Sequence, residues 1–407
     1  MKIYLASLNP CNTRKVNVRQ YVDFISSCGH EILNTPESAD MIFVWGCEFR
    51  KDWKDFTHAV IKNLKKEYDS EIVYIGCTFT GEFAKKAEKE LGIDIIPWRD
   101  TTELIEQKLN ETQKKLKNTR LTLSENRIVD NLEEYKKKNK NARVWFEDEY
   151  IKLSICEGCT GYCTYCSEKL MFPQFKSFEE DKIISGCRKA IEKSGTNKVL
   201  FLADNSGEYG KDIGSSLPNL INRLKTEVDP NIKIGITQLN PEHFLAYMDE
   251  MVKFIKEGTI EYLNLPIQIV SNRLLEKMGR KYKFKDIRNL FDTLKENNFT
   301  NFSTHLLIGF PGETMDDVKE AVKFLSEYKF RHVIVSSFMN HPAIEASKFK
   351  EQVSNEDKKV RVKYCKDYLS EMGIIVHTDL GGISSRLMST IRSQLGIELK
   401  CYENEND

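Results

Sequence analysis

The sequence has no surplus of either charge. Its 61 Lys and Arg offset 61 Asp and Glu over 407 residues, so the whole chain presents no field that would announce nucleic acid, although a local basic patch remains compatible. It contains no apolar run of about 18 residues and no export signal, so no membrane partner is expected and the expected location is cytoplasmic. Internal repeats are absent, as are low-complexity tracts beyond short Lys runs. The length then suits two or three ordinary domains. Cysteine is plentiful, at eleven residues. In a chain without an export signal, that number points to metal or redox use rather than crosslinking.

Three of the cysteines form a tight run, Cys159-Thr160-Gly161-Tyr162-Cys163-Thr164-Tyr165-Cys166, after the apolar, strand-like stretch Tyr150–Ile155. Fe-S clusters are held by thiolates, ordinarily four. Three thiolates this close would hold three irons of a cubane and leave the fourth open to a small chelating molecule. A zinc site is the alternative, but zinc usually pairs C-x2-C with a second pair of ligands downstream, and the next cysteine is a lone Cys187. Cys156 reads as a bystander.

The first hundred residues alternate short apolar runs (Ile3–Leu8, Met41–Trp45, Ile72–Ile75, Ile93–Ile96) with amphipathic segments (Val16–Ser27, Phe56–Leu64, Phe83–Leu91). This alternation predicts a parallel sheet with helices on both faces. Cys11, Cys47 and Cys77 each follow a predicted strand, and parallel strands end along one edge, where α/β folds place ligands. Three thiolates there can hold a second cluster; buried structural cysteines are the alternative. Cys28 falls inside a helix pattern and reads as a small core residue.

Residues 101–145 read as a charged linker with some helix. Between Glu111 and Arg143 ten basic residues face five acidic ones, which suits a solvated helix or, alternatively, a surface for RNA or an acidic peptide. From Tyr150 a strand-then-helix unit recurs six times, with strands at Tyr150–Ile155, Lys198–Ala203, Ile232–Thr237, Tyr262–Pro266, Phe302–Ile308 and His332–Phe338. Six units cannot close an eight-strand barrel, so residues 146–345 predict a partial, open-sided (β/α)6 barrel. The overall fold class is α/β. Polar residues gather beyond the strand ends: Asp204, Asn205 and Ser206; Gln238; Gln268 and Arg280; and Gly309-Phe310-Pro311, with Thr314 and Asp317 spaced as a capping box. Taken singly, each also suits a turn or a cap.

The C-x3-C-x2-C run, the N-terminal cysteine triad, and the segments Leu265–Gln268 and Gly309–Thr314 together resemble the radical S-adenosylmethionine methylthiotransferases over about residues 1–350. That resemblance implies two 4Fe-4S clusters, one on Cys159, Cys163 and Cys166 and the other on Cys11, Cys47 and Cys77. The open iron of the first cluster would bind S-adenosylmethionine, whose reductive cleavage gives a 5′-deoxyadenosyl radical. It also implies cofactor contacts at Tyr165, beside the adenine, and at Asp204, Asn205, Ser206, Gln238, Gln268, Arg280, Gly309, Phe310 and Pro311. The reaction would be sulfur insertion into an unactivated C–H bond, followed by methylation, with an electron donor such as flavodoxin or ferredoxin.

Several segments depart from the family pattern. Ile269 and Val270 stand where a glycine is usual, His305 replaces an acidic residue, and Ser167–Pro173 replaces an arginine-bearing stretch. The family's terminal TRAM β-barrel is expected to be missing, because residues 346–407 read as a helical extension: a helix over Ser354–Met372, a strand at Gly373–Thr378 and a helix near Ser384–Leu395. Weak net charge and the missing TRAM domain favour a peptide or protein side chain as substrate, with a tRNA adenosine as the alternative. The rivals are a radical enzyme whose N-terminal cluster only relays electrons and a cluster-bearing sensor without turnover.

Overall fold

The computed structural model describes residues 1–8, 12–48, 51–77, 81–97, 101–110, 149–172 and 174–378. These fall into two compact units, one made of residues 1–110 with 170–172 and the other of residues 149–169 with 174–378.

In the first unit, β1 (Lys2–Ser7), β2 (Glu31–Leu33), β3 (Met41–Cys47), β4 (Glu71–Cys77) and β5 (Asp94–Pro97) form a parallel sheet in the order β2-β1-β3-β4-β5. Consecutive side chains of a strand point to opposite faces. Accordingly, Ile42 and Val44 enter one core with Phe56, Ile61 and Tyr74, while Phe43 and Trp45 enter another with Tyr21, Phe24 and Ile75. A strand buried on both faces must be apolar throughout, and β3 is. Each such large side chain contributes roughly 1.5–3 kcal/mol on burial. Helices over Asn12–Ser27, Lys51–Glu67 and Glu82–Leu91 connect the strands as the sequence pattern predicts.

Two features of this unit escape the sequence pattern. The short edge strand β2 has only two apolar residues, too few to show a period. The helix Thr101–Lys108 belongs to this unit rather than to the linker, because Ile105 and Leu109 are buried in its core and Lys108 Nζ lies 2.5 Å from both Glu71 and Asp94. The lysine-rich stretch of the expected linker lies outside the described residues.

The second unit holds β6 (Ile151–Ser154), β7 (Cys156–Glu157), β8 (Lys176–Ser177), β9 (Lys198–Leu202), β10 (Lys233–Ile236), β11 (Ile260–Asn264), β12 (Phe302–Ile308), β13 (His332–Ser337) and β14 (Ile375–Thr378). Seven of these pair in parallel in the order β14-β13-β12-β11-β10-β9-β6, while β7 and β8 form a small antiparallel pair. Among the described residues β6 and β14 are each paired on one side only, so over these residues the sheet does not close. The expected six strands are present, and β14 corrects the count: Ile375–Thr378, read as part of a C-terminal extension, extends the sheet by pairing with β13. The helix before it, Asn355–Glu371, matches the expected one. The predicted helix near Ser384–Leu395 lies outside the described residues, as does any reading of a TRAM domain there.

The stretch from Phe244 to Ile255, whose apolar residues recur at helical spacing, is divided into the helices Pro241–Ala246 and Met248–Lys256, which meet at Tyr247. The Thr314–Asp317 capping box forms as read, with reciprocal hydrogen bonds.

Candidate cluster and cofactor site

The cysteine run Cys159–Cys166 leaves the sheet between β7 and β8. Gly158 opens it at φ +77°, in the left-handed region, and a Cβ there would stand 2.5 Å from the Gln174 carbonyl oxygen. Only glycine fits this turn without moving backbone. The loop is then pinned to the end of β9: the Gly158 N–H donates to Asp204 Oδ2 at 2.8 Å and the Thr160 N–H to Glu208 Oε2 at 2.8 Å, with the Thr160 hydroxyl donating to Glu208 Oε1. Burial would raise the Glu208 carboxyl, but the two Thr160 hydrogen bonds and the nearby Lys211 bring it below the ordinary carboxylate range. Glu208 therefore stands as an anion that holds the loop.

The sulfur atoms are supplied with donors. The Gly161 N–H lies 3.3 Å from Cys159 Sγ, the Glu168 N–H 3.4 Å from Cys166 Sγ, and Asn205 Nδ2 3.7 Å from Cys159 Sγ. All three run cysteines are partly exposed, whereas Cys156, Cys187 and Cys365 are buried. Burial, then the Glu208 charge, pushes the Cys159 thiol up to about 11. Such a group becomes a thiolate at neutral pH when a metal ion binds it. Among the described residues no three His, Cys, Asp or Glu side chains already converge at metal-binding distance. The fit to a cluster rests on donor chemistry: three partly exposed cysteines on one short loop, with N–H groups aimed at two of the sulfurs, make a ligand set for iron.

The other sequence-predicted residues sit around this loop. Asn205 is buried and bridges the cysteines to His243, with Nδ2 3.2 Å from His243 Nε2 and Oδ1 left without a partner. Ser206 donates to the Thr237 carbonyl at 2.5 Å, so its hydroxyl serves the loop. Gln238 (φ +50°) and Gln268 (φ +71°), at the ends of neighbouring strands, are both in left-handed backbone that non-glycine residues seldom adopt. Strain of this kind, worth about 1–3 kcal/mol, collects at functional sites. Arg280 lies under the loop with its Cζ 5.7 Å from the Tyr165 ring and 5.5 Å from the Tyr282 ring. Its Nη2 donates to the Pro266 carbonyl at 3.3 Å, and its buried Nε has no partner. An orphaned guanidinium N–H beside the thiols is a place for an acceptor.

Gly309 is left-handed at φ +81°, and the Lys358 side chain crosses it, so a Cβ there would stand 2.3 Å from Lys358 Cγ. Phe310 is fully buried and meets Tyr165 edge-on at 6.4 Å, which fixes the tyrosine ring; Pro311 is buried beside it. Glu208 and His243 were absent from the sequence-based site. The signal for Glu208 was its place in the polar stretch after β9; His243 had none, because Pro241–Ala246 reads as an ordinary helix start.

In the first unit, Cys47 and Cys77 end β3 and β4 as register partners. β1, the other neighbour of β3, precedes Cys11, which lies outside the described residues. Beside Cys47, the buried Glu48 carboxylate is 2.6 Å from His58 Nε2 and 3.2 Å from Lys54 Nζ.

Residues 153–325 match the Radical SAM superfamily model. The chain is 27% identical to the threonylcarbamoyladenosine tRNA methylthiotransferase of Xenopus laevis over 83% of this chain and 60% of that one. It is also 27% identical to the ribosomal protein uS12 methylthiotransferase RimO of Clostridium kluyveri, over 89% of this chain and 80% of that one. The chain thus spans about three fifths of the length of the first of these relatives. Among solved structures it resembles the radical S-adenosylmethionine methyltransferase TsrM of Kitasatospora setae with a TM-score of 0.58 and 14% identity, over 85% of this chain and 76% of that one. At that identity the likeness is one of fold.

Proposed function

We propose that this chain is a radical S-adenosylmethionine methylthiotransferase that inserts sulfur into an unactivated C–H bond of a tRNA adenosine derivative and methylates it. The observation that carries the reading is the loop Cys159–Cys166: three partly open thiols with N–H donors at two sulfurs, on a segment inside the matched superfamily region. When bound there, an iron-sulfur cluster and S-adenosylmethionine supply the electron and the radical chemistry.

The chain's own residues do the rest. Glu208 anchors the loop through Thr160, and Asn205 bridges Cys159 to His243. Tyr165, held by Phe310, and Arg280, with its open Nε, form the wall against which the cofactor lies. Gln238 and Gln268 line the strand ends on either side. The second cluster belongs to Cys11, Cys47 and Cys77 and is the sulfur-carrying one.

The substrate is taken from the relatives named for tRNA. A peptide side chain, expected from weak charge and a missing TRAM domain, is the second reading, and the ribosomal-protein relative, matched over 80% of its length, favours it. Assay of reconstituted enzyme with S-adenosylmethionine, a reductant and either tRNA or ribosomal protein decides between them. A methylthio-nucleoside in digested tRNA is the expected product. A methylthio group on protein alone overturns the tRNA reading, and no methylthio product on either substrate overturns the function.

A further inference from the structure

The inner face of the second sheet carries side chains that the cofactor loops do not use. Along β12, Thr304, Leu306 and Ile308 are buried, while His305 and Leu307 keep partial exposure. Along β13, Val333 and Val335 are buried, while Ile334 and Ser336 are partly open. Alternate residues share a face. Leu306, Ile308, Val333 and Val335 belong to the helix-covered core, so the open positions look inward. The register aligns them: His305 is opposite Ile334, Ile334 opposite His377 of β14, and Leu307 opposite Ser336.

These side chains make two rungs of one trough, which ends at the edge strand β14. His305 and His377 flank Ile334 with backbones roughly 10 Å apart, two strand spacings. None of the five side chains is acidic. Among the described residues no hydrogen bond reaches the His305 ring. Burial, with the Arg280 charge, holds that ring down at about 4, so at neutral pH it is uncharged and offers one donor and one acceptor. The charge of Arg280 reaches His305. A flat heteroaromatic ring would find an apolar floor and polar edges.

We propose that this trough receives the purine base of the substrate nucleoside, with His305 and His377 as specificity-determining residues at its edge and Ile334 and Leu307 as its floor. The proposal rests on the tRNA reading above. A base acted on inside an enzyme leaves its stack, and planar and polar side chains then read its face and edge.

The test uses the full reconstituted chain, with tRNA as the probe. His305→Ala and His377→Ala should each raise the KM for tRNA about tenfold, the cost of one good hydrogen bond. His305→Asn, which keeps a donor and an acceptor, should recover part of the loss. The KM for S-adenosylmethionine and the 5′-deoxyadenosine formed without tRNA should stay at the parent values, which a general structural defect would not allow. If His305→Ala does not fold, His305→Asn and the edge-strand variant His377→Ala carry the test. An unchanged tRNA KM in the histidine variants of an enzyme that does modify tRNA overturns the trough and leaves the function standing. A parent enzyme that leaves tRNA unmodified overturns the tRNA reading itself, and this inference with it.

Discussion

Both units place cysteines at or just after strand ends, but they gather them differently. In the second unit the three thiols come from one eight-residue run, and the sheet only anchors it, through Asp204 and Glu208 at the end of β9. In the first unit Cys47 and Cys77 end two neighbouring strands as register partners, so there the sheet itself brings the thiols together. A site built within one loop survives small shifts of the scaffold and can be read from spacing alone. One built across strands needs its fold to exist at all.

That contrast can be broken most sharply at the loop. Cys159→Ala, Cys163→Ala or Cys166→Ala should each abolish 5′-deoxyadenosine formation, measured by chromatography after reduction, because each removes one of the thiolates proposed to hold the cluster. Substitution of Cys47 or Cys77 should leave that product and stop methylthio transfer. Retained cleavage in a Cys163→Ala enzyme would remove the first cluster from this loop.

A smaller effect should appear in pH dependence. Burial first, then the neighbouring His377 and His305, hold His332 at about 3, well below the ordinary histidine value. A histidine kept neutral by the fold binds fewer protons than in the unfolded chain. Its contribution is therefore complete above pH 6.5 and is lost as pH falls from there toward 3. His332→Asn should flatten the loss of second-unit stability over that window by on the order of 3 kcal/mol, followed by thermal melting from pH 7 to 4. Parallel melting profiles for the two proteins would show that His332 titrates freely.

Much of the fold was legible because the central strands of the first sheet are buried on two faces, and such strands, as at Met41–Cys47, must be apolar runs. The cysteine loop stands out in the sequence because its three cysteines lie close together. What escaped was set by tertiary contact. Glu31–Leu33 is too short to show a period, and Thr101–Lys108 is charged enough to pass for linker until Ile105 and Leu109 find a core. Ile375–Thr378 joins the sheet only through β13. Gln238 and Gln268 stood out as polar residues at strand ends, yet their left-handed backbone has no counterpart in residue type. His243 matters through its contact with Asn205, which no spacing encodes.

The claim that two gathering devices hold two clusters is tested most directly by counting iron. Anaerobically reconstituted protein should bind about eight irons, as two cubanes of four. The joint substitution of Cys11, Cys47 and Cys77 by Ala should leave about half of that, with 5′-deoxyadenosine formation intact. An undiminished iron content in the triple variant would contradict the account.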